Sequence, residues 1–157
     1  MTTVEKQNNM VELKTILYAE DNPYDVELTL EALTDHNLVN NVVHVKDGVE
    51  VMEFLHCEGK YKGRKPGNPA VLMLDIKMPR MDGLEVLRAI RSDSTLKTIP
   101  VVILTSSREE QDLFQSYALG VNAYVVKPVE FKNFVEAVRQ IGVFWGLINE
   151  LPPNLVK

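Results

Sequence analysis

The chain has 157 residues, of which 45% are hydrophobic and 25% are charged, and a formal net charge of −5 at pH 7, which fits one folded domain and argues against nucleic acid as a partner. No stretch is long and apolar enough to span a membrane, and the N-terminus lacks a signal-peptide pattern, so we expect a cytoplasmic protein without membrane contact. Cys57 is the single cysteine, which excludes an intrachain disulfide and a thiol cluster for zinc or iron.

Five short β-branched or aliphatic runs predict five strands, with helical segments between them. The runs are TILYA (15–19), VVHV (42–45), VLMLD (71–75), VVILT (101–105) and AYVVK (123–127). Strands this apolar that alternate with helices indicate a parallel sheet covered on both faces. The pattern therefore predicts an α/β fold.

The first three predicted helices begin after residues that commonly cap helix N-termini, namely Asn22, Asp47 and Asp82. Pro23 strengthens the first signal because Pro is favoured at the first helical position, and Gly59 marks the end of the second helix. The side chains spaced for burial are Val26, Leu30 and Leu33 on the first helix, Val51, Met52 and Leu55 on the second, and Val86, Leu87 and Ile90 on the third.

The fourth predicted helix opens with SREE, in which Ser107 and Glu110 have the spacing of a capping box, and it should end at Gly120. Its predicted buried stripe consists of Leu113, Phe114 and Tyr117. The fifth predicted helix should bury Phe131, Phe134, Val135, Val138 and Ile141. Its pattern can continue through Trp145 to Ile148 before Pro152 and Pro153 end it.

Polar residues are predicted at the carboxyl ends of four strands, where an open parallel sheet has its functional crevice. They are Glu20 and Asp21 after the first strand, Asp75 on the third, Thr105 and Ser106 on the fourth, and Lys127 on the fifth. Three crowded carboxylates repel each other unless a cation joins them, and their oxygens favour magnesium. Asp75 would be the nucleophile of a phosphoryl transfer, with Lys127 and Thr105 on the phosphoryl oxygens.

Four motifs, in this order, resemble the receiver domain of bacterial two-component response regulators: ILYAEDNPYD, LMLDIKMPRMDG, VVILTSS and YVVKP. The resemblance implies a flavodoxin-like, doubly wound sheet of five parallel strands in the order 2-1-3-4-5, with helices on both faces. It divides the chain into an N-terminal arm (1–13), a receiver domain (14–146) and a C-terminal extension (147–157). The protein would then be a signalling protein that catalyses at most its own phosphorylation and dephosphorylation.

The same resemblance implies roles for individual residues. Asp75 would be the phosphoacceptor, with Thr105 and Lys127 as its catalytic partners. The implied Mg²⁺ ligands are Asp21, Asp75, the backbone carbonyl of Lys77 and, through water, Glu20. Thr105 and Tyr124 would form the switch that responds to phosphorylation, and the peptide bond before Pro128 would be cis.

A finer resemblance is to small stand-alone regulators that work with phytochrome-type sensor kinases. It depends on the start EDNPYDVELTLEAL, the long connection 56–70 and the FW pair near the C-terminus. The receiver family implies a sensor histidine kinase upstream, and the finer resemblance implies that this kinase is of phytochrome type. The expected downstream partner is a protein target or a phosphorelay protein. Because few residues follow Lys127, the signal should leave through protein contact, self-association or transfer of the phosphoryl group rather than through an output domain.

A homodimer is predicted from the aromatic and aliphatic residues near the C-terminus. Phe144 and Trp145 extend the last helix, and the tail adds Ile148, Leu151 and Leu155 with little domain left to cover them. The predicted interface consists of helix 4, strand 5, helix 5 and the C-terminal extension.

Other classes of protein fit these residues less well. A haloacid-dehalogenase-type phosphatase would need a second acid where Lys77 stands, and a flavodoxin would need a phosphate loop where the acidic AEDNP stands. No GxxxxGKS/T loop exists for a nucleoside triphosphatase. A receiver-fold binding module that works without phosphorylation stays open as the alternative, although Asp21, Asp75, Thr105 and Lys127 together argue against it.

Overall fold

Five parallel strands form one sheet in the computed structural model, which describes residues 15–151. The strands are β1 (Ile16–Ala19), β2 (Val42–Val45), β3 (Val71–Leu74), β4 (Val101–Thr105) and β5 (Ala123–Val126). Their order is β2-β1-β3-β4-β5, and every pair of neighbours is parallel. The predicted strands and the predicted order of the sheet are confirmed.

Five α-helices connect and follow the strands: α1 (Pro23–Ala32), α2 (Gly48–His56), α3 (Gly83–Arg91), α4 (Glu110–Ala118) and α5 (Phe131–Val143). Short 3-10 segments occupy Asp35–Asn41 and Gly59–Tyr61. Helix α5 continues into a π-helical turn over Phe144–Ile148, as its apolar pattern predicted. Within residues 15–151, no helix is both long and apolar enough to cross a membrane.

The first three helices begin where their capping residues predict. The side chains of Asn22 and Asp47 accept hydrogen bonds from backbone N–H groups in the first turns of α1 and α2. At α3, Asp82 accepts from the backbone N–H of Glu85, and the Glu85 side chain accepts from that of Asp82. These bonds satisfy N–H groups that have no partner inside the helix, and they fix where each helix leaves its strand.

Side chains of the strands alternate between two apolar cores, one on each face of the sheet. On β1, Leu17 and Ala19 join the first core, whereas Ile16 and Tyr18 join the second. Helices α2 and α3 cover the first core, and α1 and α5 cover the second. The predicted inward residues of α2 and α3 are buried, except Met52, which packs half-buried against the first core.

The buried residues of helix α1 differ from those predicted. Leu33 is buried as expected, but Leu30 is only half-buried. Thr29, which the pattern omitted, is fully buried instead. It can be buried because its hydroxyl oxygen accepts a hydrogen bond from the Tyr18 hydroxyl at 2.9 Å, so that neither polar group is left without a partner.

The predicted cap and the predicted buried stripe of α4 are wrong, whereas the helix ends just before Gly120 as predicted. The helix begins after Glu109, which makes no side-chain cap, and the Ser107 hydroxyl donates to the Asp112 carboxylate instead of capping the helix. The buried residues of α4 are polar, Asp112 and Ser116. The predicted buried stripe is exposed, with exposed fractions of 39% for Leu113, 75% for Phe114 and 55% for Tyr117. The bond between Ser107 and Asp112 holds the polar face inward and leaves the apolar face in solvent.

Helix α5 mostly confirms its prediction. Phe134, Val138 and Ile141 are buried, whereas Phe131 at the first turn is half-exposed. Gly142 allows a close approach to α1, because a Cβ there would overlap the Leu33 side chain.

The C-terminal aromatic residues divide between core and surface. Trp145 packs against the second core, while Phe144 stays exposed and contacts the Trp145 ring edge-to-face at 5.1 Å. Leu147 and Ile148 are also exposed. Pro152, Pro153, Leu155 and the predicted arm 1–13 lie outside the described residues, so the predicted domain bounds stay a prediction.

Candidate functional site

Polar residues from four strands meet at the carboxyl edge of the sheet. The register of β1 with β3 places Glu20 beside Asp75, directly after the last paired residues. The register of β4 with β5 places Lys127 beside Thr105, whose carbonyl accepts from the Lys127 backbone N–H at 2.7 Å. The sheet therefore brings together the residues that the strand ends predicted.

The Lys127 ammonium is the centre of this site. Its Nζ lies 2.7 Å from Glu20 Oε1, 2.8 Å from Asp25 Oδ2 and 3.2 Å from Asp75 Oδ2. The Lys127 side chain is 9% exposed, and Glu20 and Asp75 are buried. Because charge-assisted hydrogen bonds in a buried setting are strong, these contacts fix the ammonium directly beside the predicted phosphoacceptor.

Burial and charge shift the pKa values of this cluster. Burial, followed by the charge of Asp75, raises the pKa of Glu20 to about 7, although Lys127 acts in the opposite direction. Burial would lower the pKa of Lys127, but its bonds to Asp25 and Glu20 and the charge of Asp75 outweigh burial and raise it. The lysine therefore stays charged near neutral pH, whereas burial and the charge of Asp75 favour the protonated form of Glu20.

The residues present fit a divalent cation. One carboxylate oxygen each from Glu20, Asp21 and Asp75 lies within 4.8 Å of the others. Glu20 and Asp75 are buried whereas Asp21 is exposed, so water can reach the open side of the cluster. All-oxygen ligands with access for water are the set that hard divalent ions prefer.

An open cleft of about 430 Å³ lies over the cluster. The side chains around it are those of Glu20, Asp21, Asn22, Pro23, Asp25, Asp75, Lys77, Ser106 and Lys127. The Lys77 ammonium lies at the rim, 3.6 Å from Asp112 and 3.9 Å from Glu109, and its side chain is mostly exposed. The cleft thus has an acidic floor and is wide enough to admit a phosphoryl group.

The predicted switch residues lie behind the cleft rather than in it. Thr105 is fully buried, and its hydroxyl oxygen lies 3.3 Å from the backbone N–H of Ser107. The half-buried Tyr124 donates its hydroxyl to the Ser107 carbonyl at 3.0 Å. Both side chains therefore contact the same loop after β4, which is the arrangement that a coupled movement of the two would need.

The expectation of a cis peptide bond before Pro128 is wrong in this structure. No cis peptide bond occurs among residues 15–151. The trans form is the ordinary preference of an X–Pro bond, by about 0.5–1 kcal/mol, and the sequence alone offered nothing but the family resemblance against it.

Two interactions near the site were missed from the sequence. Asp25 was passed over because it lies outside the four strand ends, although it stands in the first turn of a helix that leaves the carboxyl end of β1. Asp47 was read only as a helix cap, yet its carboxylate also binds Arg80 at 2.8 and 3.1 Å. That pair ties the start of α2 to the loop after Asp75. An acidic residue close to a predicted crevice was the available signal for Asp25.

Comparison with known proteins identifies the family. The family described as response regulator receiver domain matches residues 16–139. The chain belongs to this family, and its sheet of five parallel strands is the fold that the motifs predicted.

The similar proteins include stand-alone regulators of nearly the same length. The response regulator Rcp1 of Synechocystis sp. (strain ATCC 27184 / PCC 6803 / Kazusa) is 37% identical over 132 residues, which are 84% of this chain and 88% of Rcp1. The crystal structure of the Mn(2+)-bound form of Rcp1 has a TM-score of 0.81 at 36% identity and covers 88% of this chain and 99% of that chain.

Two similar structures are described as phytochrome regulators. The phosphorylated cyanobacterial phytochrome response regulator RcpA has a TM-score of 0.82 at 41% identity, covering 88% of this chain and 98% of that chain. The bacteriophytochrome response regulator AtBRR has a TM-score of 0.69 at 56% identity, covering 88% and 99%. The resemblance to the stand-alone phytochrome regulators is therefore confirmed.

Proposed function

We propose that this response regulator accepts a phosphoryl group on Asp75 from a sensor histidine kinase, in a Mg²⁺-dependent reaction, and signals through protein contact. The observation that carries the proposal is the position of Asp75. Its carboxylate stands on the floor of an open cleft, 3.2 Å from the Lys127 ammonium and within 4.8 Å of carboxylate oxygens of Glu20 and Asp21. A carboxylate in this setting has a nucleophilic oxygen, positive charge beside it and room for the donor.

The transfer would form a P–O bond to a carboxylate oxygen of Asp75 as the P–N bond of the donor phosphohistidine breaks. The electron pair of the P–N bond stays with the imidazole nitrogen. Lys127 holds a positive charge where the phosphoryl oxygens arrive, and phosphorylation would draw the buried Thr105 hydroxyl from behind the cleft toward one of them. The buried β3 gives Asp75 a rigid support, so that little reorganisation is needed at the moment of transfer.

Mg²⁺ is the cation that we propose for the acidic cluster. Asp21 and Asp75 would hold it directly, with the backbone carbonyl of Lys77 and with Glu20 through water. When bound, the ion neutralises the carboxylates that would otherwise repel an incoming phosphoryl group. The Mn(2+)-bound structure of Rcp1 supports a divalent ion for this chain, and the oxygen ligands with open access to water support magnesium.

The proposed upstream partner is a phytochrome-type histidine kinase. The similarity to RcpA and AtBRR, both described as phytochrome response regulators, supports this choice. The downstream partner is a protein target or a phosphorelay protein, and the protein's own chemistry is limited to gaining and losing the phosphoryl group. The cytoplasmic location stays a prediction.

Intact mass after incubation with Mg²⁺ and a small phosphodonor tests the phosphoacceptor. The parent should gain the mass of one phosphoryl group, and Asp75→Asn should gain none because its amide is not a nucleophile. Asp93→Asn is a matched control, since Asp93 lies on the surface and binds Thr95 and His56 instead. An unmodified parent would favour a binding module that works without phosphorylation, and equal labelling of Asp75→Asn would place the phosphoryl group on another residue. Either result contradicts the proposal.

We further propose a homodimer that uses α4, β5, α5 and the C-terminal extension. Its support is the apolar surface that the described residues leave uncovered, Phe114 and Tyr117 on α4 and Phe144, Leu147 and Ile148 after α5. Exposed aromatic and aliphatic groups of this kind are enriched at the centres of protein interfaces. A standard-size interface buries about 800 Å² of accessible surface, polar and apolar together, on each partner.

Sedimentation of a Phe144→Ser, Leu147→Ser, Ile148→Ser variant tests the dimer. Truncation after Gly142 would remove Trp145 and Gly146, which pack on the second core and on Leu38, so substitution of the exposed residues is the cleaner experiment. We expect the variant to shift to monomer, whereas Tyr24→Ser, at an exposed aromatic position on α1 and outside the elements of the proposed interface, should sediment like the parent. A variant as dimeric as the parent would remove the C-terminal turn from the interface.

A further inference from the structure

Asp25 is an acidic residue at the cleft to which the phosphoryl-transfer chemistry above gives no role. It stands in the first turn of α1, and its side chain is 19% exposed. Its Oδ2 lies 2.8 Å from Lys127 Nζ, closer than Asp75 Oδ2 at 3.2 Å. One of the two shortest contacts of the ammonium is therefore to a residue outside the strand ends.

The ammonium has three N–H donors, and three carboxylates occupy them. Two of these carboxylates, Glu20 and Asp75, also belong to the cluster whose oxygens could hold a cation, together with Asp21. Asp25 does not belong to that cluster. When Glu20 and Asp75 turn oxygens toward a cation, Asp25 is the one partner that Lys127 can keep without competition.

The position of Asp25 is itself fixed. Its backbone N–H donates to the Asn22 side chain at 3.3 Å as part of the helix cap. One turn further along α1, Thr29 is locked into the core by the buried Tyr18 hydroxyl. Because the cap and the core hold α1 at both sides of Asp25, the carboxylate is presented to Lys127 from a rigid element.

We propose that Asp25 is the positioning residue for Lys127: it retains the ammonium over Asp75 when Glu20 and Asp75 serve the cation. This inference rests on the proposed function. Without Asp25, Lys127 would pair more closely with Glu20 and Asp75 and compete with the cation for their oxygens. Asp25 thus keeps the Lys127 ammonium from binding the Glu20 and Asp75 oxygens that the cation needs.

A double-mutant cycle on Mg²⁺ binding tests this role without any phosphodonor. Asp25→Asn should weaken Mg²⁺ binding, measured by calorimetric titration, because the freed Lys127 then competes with the cation. In the Lys127→Ala background the same substitution should raise the Kd for Mg²⁺ by a factor that is at least about threefold smaller. A difference of this size is the coupling expected for residues in one ion network. Equal effects in both backgrounds would show that Asp25 acts only as a distant charge, which overturns the proposal.

The rate of labelling by a small phosphodonor supplies the second measurement, at saturating Mg²⁺. Asp25→Asn should be roughly tenfold slower than the parent, because a displaced catalytic group costs rate even when it is present. Glu27→Gln, which removes one exposed carboxylate from the same helix, should label like the parent. An Asp25→Asn variant as fast as Glu27→Gln would also overturn the proposal. Failure of the proposed function is distinguishable, since then the parent itself binds Mg²⁺ but stays unlabelled.

Discussion

Lys127→Ala is expected to destabilise the protein in the absence of divalent cations by about 3 kcal/mol, the usual cost of removing one partner from a buried ion cluster. The loss is large because Glu20 and Asp75 are buried, and Lys127 is the positive group within 4 Å of both among the described residues. Mg²⁺ should bind at least as tightly as in the parent, because the ammonium no longer competes for the same oxygens. Saturating Mg²⁺ should therefore restore much of the lost stability.

The stability lost in Lys127→Ala should be larger at high pH than at low pH. Burial and the charge of Asp75 raise the pKa of Glu20 in the folded protein to about 7, above its ordinary value of 4.5. Between pH 4.5 and about 7 the Glu20 carboxyl is therefore protonated in the folded state and ionised in the unfolded state. The free energy of unfolding falls as pH rises through this range. Without Lys127 the folded pKa rises further, so the fall continues to higher pH. The difference between Lys127→Ala and the parent should thus grow above pH 7 and shrink toward pH 5.

Urea unfolding in a chelator, at pH 5.5 and pH 8, measures this difference directly. Lys132→Ala, which removes an exposed lysine, is the matched control and should stay within about 0.5 kcal/mol of the parent. Phosphodonor labelling of Lys127→Ala should be slow although the cation is bound. Weakened Mg²⁺ binding would contradict the role of Lys127 as a competitor for the cation's ligands, and a pH-independent difference would contradict the raised pKa of Glu20.

Most of the site could be predicted because it lies at strand ends. The strands β1, β3 and β4 are buried on both faces and show as continuous apolar runs, and the edge strand β5 has the same pattern, so the residue that breaks such a run marks the edge of the sheet. Asp75 and Lys127 end such runs, and parallel order brings them together without any knowledge of side-chain contacts. Asp25 does not end a run, and its contact with Lys127 depends on how α1 leaves β1, which the periodicity of the sequence does not encode.

Helix α4 shows where the periodic reading fails. Leu113, Phe114 and Tyr117 have the spacing of a core stripe, but periodicity identifies only an apolar face and not what covers it. The opposite face carries Asp112, which the Ser107 hydroxyl and Lys77 bind from two different loops. Those partners are distant in sequence from one another, so the inward turn of the polar face could not be read locally. An apolar face that the domain leaves exposed is then available for the proposed interface.

Gly83→Ala is expected to destabilise the fold and to slow phosphorylation together. Gly83 lies in the DG pair after Asp75, and its backbone N–H donates to the Ile76 carbonyl at 2.8 Å. A Cβ at this position would overlap the backbone carbonyl oxygen of Asp75 and lie 2.8 Å from Ile76 Cα. Since backbone cannot rotate away as a side chain does, the start of α3 or the end of β3 must move, at a cost of about 1–3 kcal/mol.

Gly83→Ala should lower stability and slow labelling for the same reason, because one displacement of the Asp75 backbone causes both effects. The displaced carbonyl belongs to Asp75 itself, so the shift that relieves the overlap also moves the nucleophile, and labelling should slow by roughly tenfold or more. Gly63→Ala is the matched control, since a Cβ there meets nothing within 4 Å. Urea unfolding and intact-mass labelling of both variants check the prediction. A Gly83→Ala protein with lowered stability but the parent's labelling rate would show that α3 moves and Asp75 does not.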